Sequence, residues 1–287
     1  MNPYQIFTDT ACDIAPALLA KWRVACVDMT FHYDGEEKDY TNGDMTIDAF
    51  YHSMRDGRVV KTSAVNMEVY RERFQPVLRA GEDILYIGFA SALSNSCQVA
   101  KIVAKELGEK YPERRIVCID SRCASAGEGL LVYLAVQKRD AGASLEELAD
   151  YVRTTLPDLC HWFTVDDLVY LKRGGRVSAA SAFAGTLLQI KPVLHVDDEG
   201  RLINMRKIRG RKQAVANMAE QYFKTAFDQK GVYFISNGDC PEDANLLEDM
   251  IFERTGRRAE LICDIGPVIG AHSGPGTLAL FFLGRPR

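Results

Sequence analysis

Short runs of β-branched and apolar residues alternate along the first half of the chain with segments whose apolar residues recur every three or four positions. The short runs predict β-strands, and the recurring pattern predicts amphipathic helices. Thr46 is placed to cap one of these helices, and Ser144 with Glu147 has the spacing of a capping box. The strands predicted here are Gln5–Asp9, Asp83–Phe89 and Arg115–Asp120. This alternation is typical of βαβ units around a mostly parallel sheet.

The same pattern restarts after Pro157. Further strands are predicted at His161–Val165, Pro192–Val196, Leu202–Met205, Gly231–Ser236 and Ala259–Asp264. The second and third of these flank an Asp-Asp-Glu-Gly turn, which predicts a hairpin. Because a chain of 287 residues exceeds the usual size of one hydrophobic core, we predict two domains, residues 1–158 and 159–287. The predicted fold class is α/β, each domain a mostly parallel sheet with flanking helices and a ligand tunnel between the domains.

The composition, with 47% apolar and 26% charged residues, is that of an ordinary globular protein. The formal net charge of −4 gives no overall attraction to nucleic acid or to an anionic membrane surface, so we expect neither as a partner. The apolar runs fall short of the roughly 20 residues that a membrane-spanning helix needs, and the N-terminus lacks the basic and apolar regions of a signal peptide. These features predict a cytoplasmic protein without a membrane span.

Several motifs of metal and cofactor chemistry are missing from the sequence. The eight cysteines are scattered, without a C-x-x-C pair and without histidine at zinc-binding spacing, so we predict buried thiols rather than a metal site. The chain also lacks the glycine-rich loops that bind ATP or NAD and the G-x-S-x-G turn of many hydrolases. We therefore expect no cofactor.

A turn rich in glycine and cations lies in the middle of the chain. Gly174 and Gly175 permit backbone angles closed to other residues, so they can gather Lys172, Arg173 and Arg176 at one corner that suits an anion. Small and apolar residues then recur at helical spacing: Ala180, Phe183, Ala184, Leu187 and Leu188. This thin stripe leaves room for a ligand, and close packing of a helix on a sheet explains it equally well.

Hydroxyl side chains cluster where predicted strands end, the edge at which open α/β sheets bind ligands. Thr62 with Ser63 forms one cluster, and Ser91 with Ser94 forms another. Such hydroxyls, together with free backbone amides, can hold a carboxylate. Helix capping is the alternative role for each hydroxyl taken alone.

The C-terminal segment 265–282 surrounds the imidazole of His272 with glycines and prolines. Glycines of this kind let the backbone approach a neighbour closely, which is a common way to present a side chain to a cleft, although a structural histidine is the alternative. A separate segment, Arg206–Lys212, places five cations in seven residues. A docking patch for a partner and a solvated charged turn are equally consistent with that segment.

Six motifs, in order and spacing from residue 4 to about 283, resemble the DegV family of bacterial fatty-acid-binding proteins. They are Thr8–Asp13, Lys61–Ser63, Gly88–Ser94, Ile119–Ser125, Leu171–Leu194 and Gly266–Gly276. The resemblance implies a two-domain α/β protein that encloses one long-chain fatty acid. It also implies a protein without turnover of its own, which carries the fatty acid for a separate ATP-dependent kinase that makes an acyl phosphate.

Three groups of residues take expected roles from this resemblance. The fatty acid carboxylate is expected to be bound by Thr62, Ser63, Ser91, Ser94 and His272. The acyl tunnel is expected to be lined by Phe183, Ala184 and Leu187. The surface that meets the kinase is expected to contain Arg173, Arg176 and Arg209.

Two other classes of function are open at this point. One is a self-sufficient acyl hydrolase, with Ser91 as nucleophile and His272 as its base. The other is a regulatory interaction protein whose pocket is vestigial. Turnover of acyl esters by the purified protein alone would favour the first class, and the absence of any co-purified acyl chain would favour the second.

Overall fold

A computed structural model of the protein describes residues 2–177 and 189–286. The first half of the chain forms β1 (Tyr4–Asp9), α1 (Pro16–Lys21), β2 (Val24–Val27), β3 (Thr30–Tyr33), α2 (Ile47–Arg55), β4 (Val60–Ser63), α3 (Met67–Arg79), β5 (Asp83–Gly88), α4 (Ser96–Lys110), β6 (Ile116–Asp120), α5 (Ala126–Asp140) and α6 (Leu145–Thr155). Four of these strands make a wholly parallel sheet in the order β2–β1–β5–β6. Strands β3 and β4 pair separately as a small antiparallel sheet.

The strands and helix caps predicted in this half are confirmed. All three predicted strands form to within one or two residues of their expected bounds. The Thr46 hydroxyl accepts a hydrogen bond from the Ala49 amide, and Ser144 with Glu147 completes the capping box of α6. Helices α3 and α4 cover one face of the parallel sheet while α5 and α6 cover the other, which explains why β5 is buried along its whole length.

The second half forms β7 (Leu159–Thr164), α7 (Val169–Arg173), β8 (Ile190–Val196), β9 (Leu202–Arg209), α8 (Arg211–Thr225), β10 (Tyr233–Gly238), α9 (Pro241–Thr255), β11 (Leu261–Asp264), α10 (Pro267–Ser273) and β12 (Thr277–Leu283). The strands described in this half make one sheet in the order β11–β10–β12–β7–β8–β9. The predicted hairpin is confirmed, because β8 pairs antiparallel with β9 across the turn that ends at Leu202.

The α/β class is confirmed, but the expectation of a mostly parallel sheet in the second half is wrong. Among the described strands of the second half, only β10 and β11 pair in parallel, and the other four pairings are antiparallel. The physical reason lies in the connections. A short turn joins β8 to β9 and so forces an antiparallel pair, and β12 runs back between β10 and β7 after the short helix α10.

Helix α5 packs between the two sheets and joins their cores. A single buried cluster contains Ile87 of the first sheet, Leu131 of α5 and Phe281 of the second sheet. Gly127 makes this packing possible, since a Cβ atom there would overlap the His161 ring and lie 2.8 Å from Phe281 Cδ1. The absent side chain therefore sets how closely the second sheet approaches α5.

The predicted domain boundary falls between α6 and β7, that is, between the last helix on the first sheet and the first strand of the second sheet. Division into domains at residue 158 stays a prediction. Four of the eight cysteines are buried. Within residues 2–177 and 189–286, no three metal-binding side chains come together, and no helix has the length and apolar character needed to cross a membrane.

We expect Gly127→Ala to lower the free energy of unfolding by about 1–3 kcal/mol, because the added methyl group overpacks the contact between α5 and the second sheet. Gly108→Ala is the matched control, since Gly108 also lies in a helix and an added Cβ atom meets nothing within 4 Å. That control should be neutral or stabilising by up to about 1 kcal/mol. Denaturant unfolding of both variants checks the prediction, and equal stability changes would contradict the assigned role of Gly127.

Candidate functional site

A cavity lies between the two sheets and is lined by side chains from both halves of the chain. Most of its described lining is apolar: Met29, Phe89, Leu93, Ala124, Phe163, Leu171, Val196, Leu202, Ile265, Val268, Ile269, Ala279 and Phe281. Among the described residues, Arg176 is the one lining side chain with a permanent charge. The space is therefore neither filled by the protein nor ionic along its length.

One end of the cavity meets a surface depression, with which it shares lining residues. We call this junction the mouth, and it consists of the residues that line both spaces: Met29, Thr62, Leu93, Ser94 and Arg176. Its hydrogen-bonding groups are two hydroxyls and a guanidinium. The mouth is thus a polar end of a chamber whose other described walls are mostly apolar.

Helix α10 forms one wall and carries His272. Ile265, Val268, Ile269, His272 and Ser273 follow the spacing of one helix face and line the cavity. The glycines predicted to permit close approach do so here, because a Cβ atom on Gly270 would lie 2.6 Å from the Tyr51 hydroxyl, which donates to the Ile265 carbonyl. Packing against α2 therefore fixes the position of α10.

His272 links the two halves of the protein across the mouth. Its Nε2 lies 2.7 Å from Oγ1 of Thr62 on β4, a hydrogen bond between residues 210 positions apart. Burial, and next the charge of Arg176, lower the pKa of His272 to about 4, so the ring is neutral at physiological pH. A neutral imidazole can either donate to or accept from a hydroxyl.

The glycine turn supports this histidine. A Cβ atom on Gly174 would overlap Nδ1 of His272, so only glycine leaves the ring its present place. Arg176 follows in the same turn and donates to the backbone carbonyls of Leu93 and Gly174, the first at 3.0 Å. Burial lowers the pKa of Arg176, and the charged guanidinium faces the mouth. The structure therefore places Arg176, which we expected on the partner surface, in the cavity wall.

The predicted hydroxyls take different positions. Ser94 lines the mouth, with its Oγ 3.0 Å from the Ser96 hydroxyl. Ser63 is the neighbour of Thr62 on β4, so the alternation of a strand turns its side chain to the other face. Ser91 lies in the surface depression, exposed, and donates its hydroxyl hydrogen to the Asp120 carboxylate. The carboxylate of a ligand would compete with Asp120 for that hydrogen.

The hydrolase alternative requires a hydrogen bond between Ser91 and His272. In the structure Ser91 pairs with Asp120, and His272 pairs with Thr62. The geometry therefore does not form the nucleophile and base that this alternative needs.

Arg173 and Arg209 are exposed, at the ends of α7 and β9. Arg173 lies over the Tyr170 ring, with its guanidinium carbon 5.7 Å from the ring centroid. The predicted tunnel residues Phe183, Ala184 and Leu187 lie outside the residues that the structure describes. Their role stays a prediction.

Sequence reasoning missed a buried polar group behind the cavity. Ser125 lines the cavity, and its hydroxyl donates to Asp13 at 2.5 Å and lies 2.9 Å from the Ser236 hydroxyl. Asp13 also accepts from the Gly266 amide at the start of α10. Burial raises the pKa of Asp13 to about 8. The one available signal was the pair of motifs Thr8–Asp13 and Ile119–Ser125, which showed no spatial relation in the sequence.

A family model described as uncharacterised proteins of the DegV family matches residues 3–285. The chain belongs to the DegV family. A DegV domain-containing protein of Clostridium perfringens is 40% identical over 286 residues, covering 99% of this chain and 98% of the relative. A DegV domain-containing protein of Streptococcus pyogenes serotype M3 is 35% identical over 284 residues, covering 98% of each.

Solved DegV structures share this fold. A DegV protein from Thermus thermophilus, described by its fatty acid binding, has a TM-score of 0.87 at 26% identity and covers 99% of this chain and 100% of its own. A fatty-acid-binding DegV protein from Streptococcus agalactiae has a TM-score of 0.85 at 26% identity and covers both chains fully. A protein from Eubacterium ventriosum, described as binding stearic acid, has a TM-score of 0.87 at 25% identity over 97% of this chain and 98% of its own. The predicted DegV-like fold is confirmed.

The lowered pKa of His272 predicts a pH-dependent stability term. Between pH 6.5 and 4 the unfolded chain binds a proton at His272 that the folded protein does not bind, so stability falls as the pH falls through this window. His272→Gln removes this titration. We expect the difference in unfolding free energy between wild type and variant to change by about 1–2 kcal/mol from pH 7 to pH 4.5 and to stay constant above pH 7. Denaturant unfolding across this pH range measures it, and a pH-independent difference would show that His272 titrates normally.

Proposed function

We propose that this protein binds one long-chain fatty acid in the cavity and presents the carboxylate at the mouth to a separate ATP-dependent kinase. The observation that carries the proposal is the polarity of the cavity: most of its described walls are apolar, and a cation and two hydroxyls are gathered at the end that meets the surface. DegV proteins of known structure are described as fatty-acid-binding, which supports the same ligand class.

Most of the affinity would come from the acyl chain. Burial of roughly 14 methylene groups at about 0.8 kcal/mol each contributes on the order of 11 kcal/mol before the cost of immobilising the ligand. The described walls offer aromatic and aliphatic side chains from both sheets, including Phe89, Phe163 and Phe281. A ligand without a long apolar chain would leave this surface uncovered.

The mouth would bind the carboxylate. Thr62 and Ser94 supply hydroxyl donors, Arg176 supplies a charge, and neutral His272 keeps Thr62 in place. Because Arg176 already donates to two backbone carbonyls, it would contribute through its remaining N–H groups. In this arrangement Arg176 belongs to the ligand site, and Ser91 would join only by giving up Asp120.

The position of the mouth explains how a partner could reach the head group. The same residues that close the cavity also line the surface depression, so one carboxylate oxygen would face solvent while the chain stays buried. A kinase is needed because the sequence contains no phosphate-binding loop. Exposed Arg173 and Arg209 would belong to the surface that contacts this kinase in the cytoplasm, with no turnover by the carrier alone.

We expect Thr62→Val to weaken fatty acid binding about tenfold, since it removes a hydrogen bond to the carboxylate and the partner of His272 while keeping the shape of the side chain. Ser63→Ala is the matched control on the opposite face of β4 and should bind as wild type does. Delipidated proteins titrated with oleic or stearic acid give the dissociation constants, and mass spectrometry of extracts from untreated wild type identifies the bound acid. No acyl chain in the extract and no binding on titration would overturn the proposal.

We expect Arg173→Ala and Arg209→Ala to bind the fatty acid normally and to lower acyl phosphate formation at least several-fold when the kinase of the source organism and ATP are added. The reason is that both side chains are exposed outside the mouth, where they can meet a partner without touching the ligand. Lys224→Ala, an exposed cation on α8, is the control and should leave the rate unchanged. Loss of lipid binding, or full activity in both variants, would contradict the assignment.

A further inference from the structure

One polar group inside the cavity has no role in holding the carboxylate. The Ser273 side chain lines the cavity and is 5% exposed, and its Oγ has no hydrogen-bond partner among residues 2–177 and 189–286. Buried hydroxyls normally find a partner, because an unpaired one loses its bonds to water without replacement. A hydroxyl that faces the cavity without a protein partner therefore indicates a partner supplied by the ligand.

Ser273 lies behind the mouth. It follows His272 along α10 and faces the cavity on the same helix surface, but it does not line the surface depression that Thr62, Ser94 and Arg176 share. A ligand whose carboxylate occupies the mouth would place its chain, not its head group, against Ser273. The expected partner is therefore an atom on the chain.

The other hydroxyls that line the interior are already engaged. Thr277 Oγ1 donates to the backbone carbonyls of Ser273 and Gly274, at 3.0 and 2.8 Å. Ser125 Oγ donates its hydrogen to Asp13 at 2.5 Å. Ser273 is the one of these three whose hydroxyl remains able both to donate and to accept. A hydroxyl group on the ligand can likewise both donate and accept a hydrogen bond, so it would match Ser273.

We propose that Ser273 hydrogen-bonds a hydroxyl group on the acyl chain, so that the ligands of this protein include hydroxy fatty acids. This inference rests on the proposed fatty acid binding and specifies its substrate class. An unsubstituted chain fills the cavity but leaves Ser273 unpaired, whereas a hydroxylated chain pairs it. Sites that contain a buried hydrogen-bonding group discriminate against analogues that lack the matching group.

The test compares stearic acid with hydroxystearic acids that carry the hydroxyl at carbon 3, 10 or 12, titrated into delipidated protein. In Ser273→Ala we expect at least one isomer to bind about tenfold more weakly than in wild type, while stearic acid binds equally or more tightly because an unpaired hydroxyl is gone. Thr277→Val is the matched control on the same wall. Its hydroxyl serves the backbone, so the ratio of hydroxystearate to stearate affinity should stay as in wild type.

The outcomes separate the two proposals. Equal changes for stearic acid and every hydroxystearate in Ser273→Ala, or no change for any of them, would overturn the role of Ser273 and leave fatty acid binding intact. Failure of stearic acid and all hydroxystearates to bind wild type would overturn the proposed function itself. Thermal unfolding of the apo variants verifies folding, since Ser273→Ala removes no hydrogen bond of the described protein.

Discussion

The packing of helix α5 between the two sheets is the constraint on which the rest of the molecule depends. Gly127 lets the second sheet approach until the His161 and Phe281 rings touch the helix backbone region, and the two cores then merge into one buried cluster. On this side the sheets are held together by apolar contact. On the other side α10 spans the gap, and between these two supports the chain leaves a cavity open.

Two sets of hydrogen bonds join the halves of the protein on either side of the cavity. The Thr62–His272 hydrogen bond joins the halves at the mouth, and at the back Asp13 ties Ser125 to the amide of Gly266, the residue that precedes α10. Both links use buried groups whose protonation is set by burial: the pKa of His272 is lowered, and that of Asp13 is raised. These links hold the two halves together although most of the cavity wall between them is apolar.

Three strands and the helix caps of the first half could be predicted from local signals, because parallel strands buried on both faces produce continuous apolar runs and the helices carry caps such as Thr46 and Ser144. The short strands β2, β3 and β4 were not predicted. Strand direction in the second half could not, since apolar runs look alike in parallel and antiparallel sheets. Among the site residues, Thr62, Ser94 and His272 were found by residue type and resemblance. Ser273 and Ser125 were missed because an unpaired or strained serine has no sequence signature.

The sequence by itself determined the α/β class, eight of the strands, the helix caps, the family and the residue types suited to a carboxylate, because each of these depends on the order of neighbouring residues. Tertiary structure alone decided which hydroxyls face the cavity, which groups they hydrogen-bond and whether those groups are charged. Ser91 and Thr62 both carry a hydroxyl, but their surroundings differ. Ser91 donates to Asp120, whereas Thr62 pairs with His272 at the mouth. Arg176 likewise became a cavity residue through contacts with the Leu93 and Gly174 carbonyls, which no local pattern encodes.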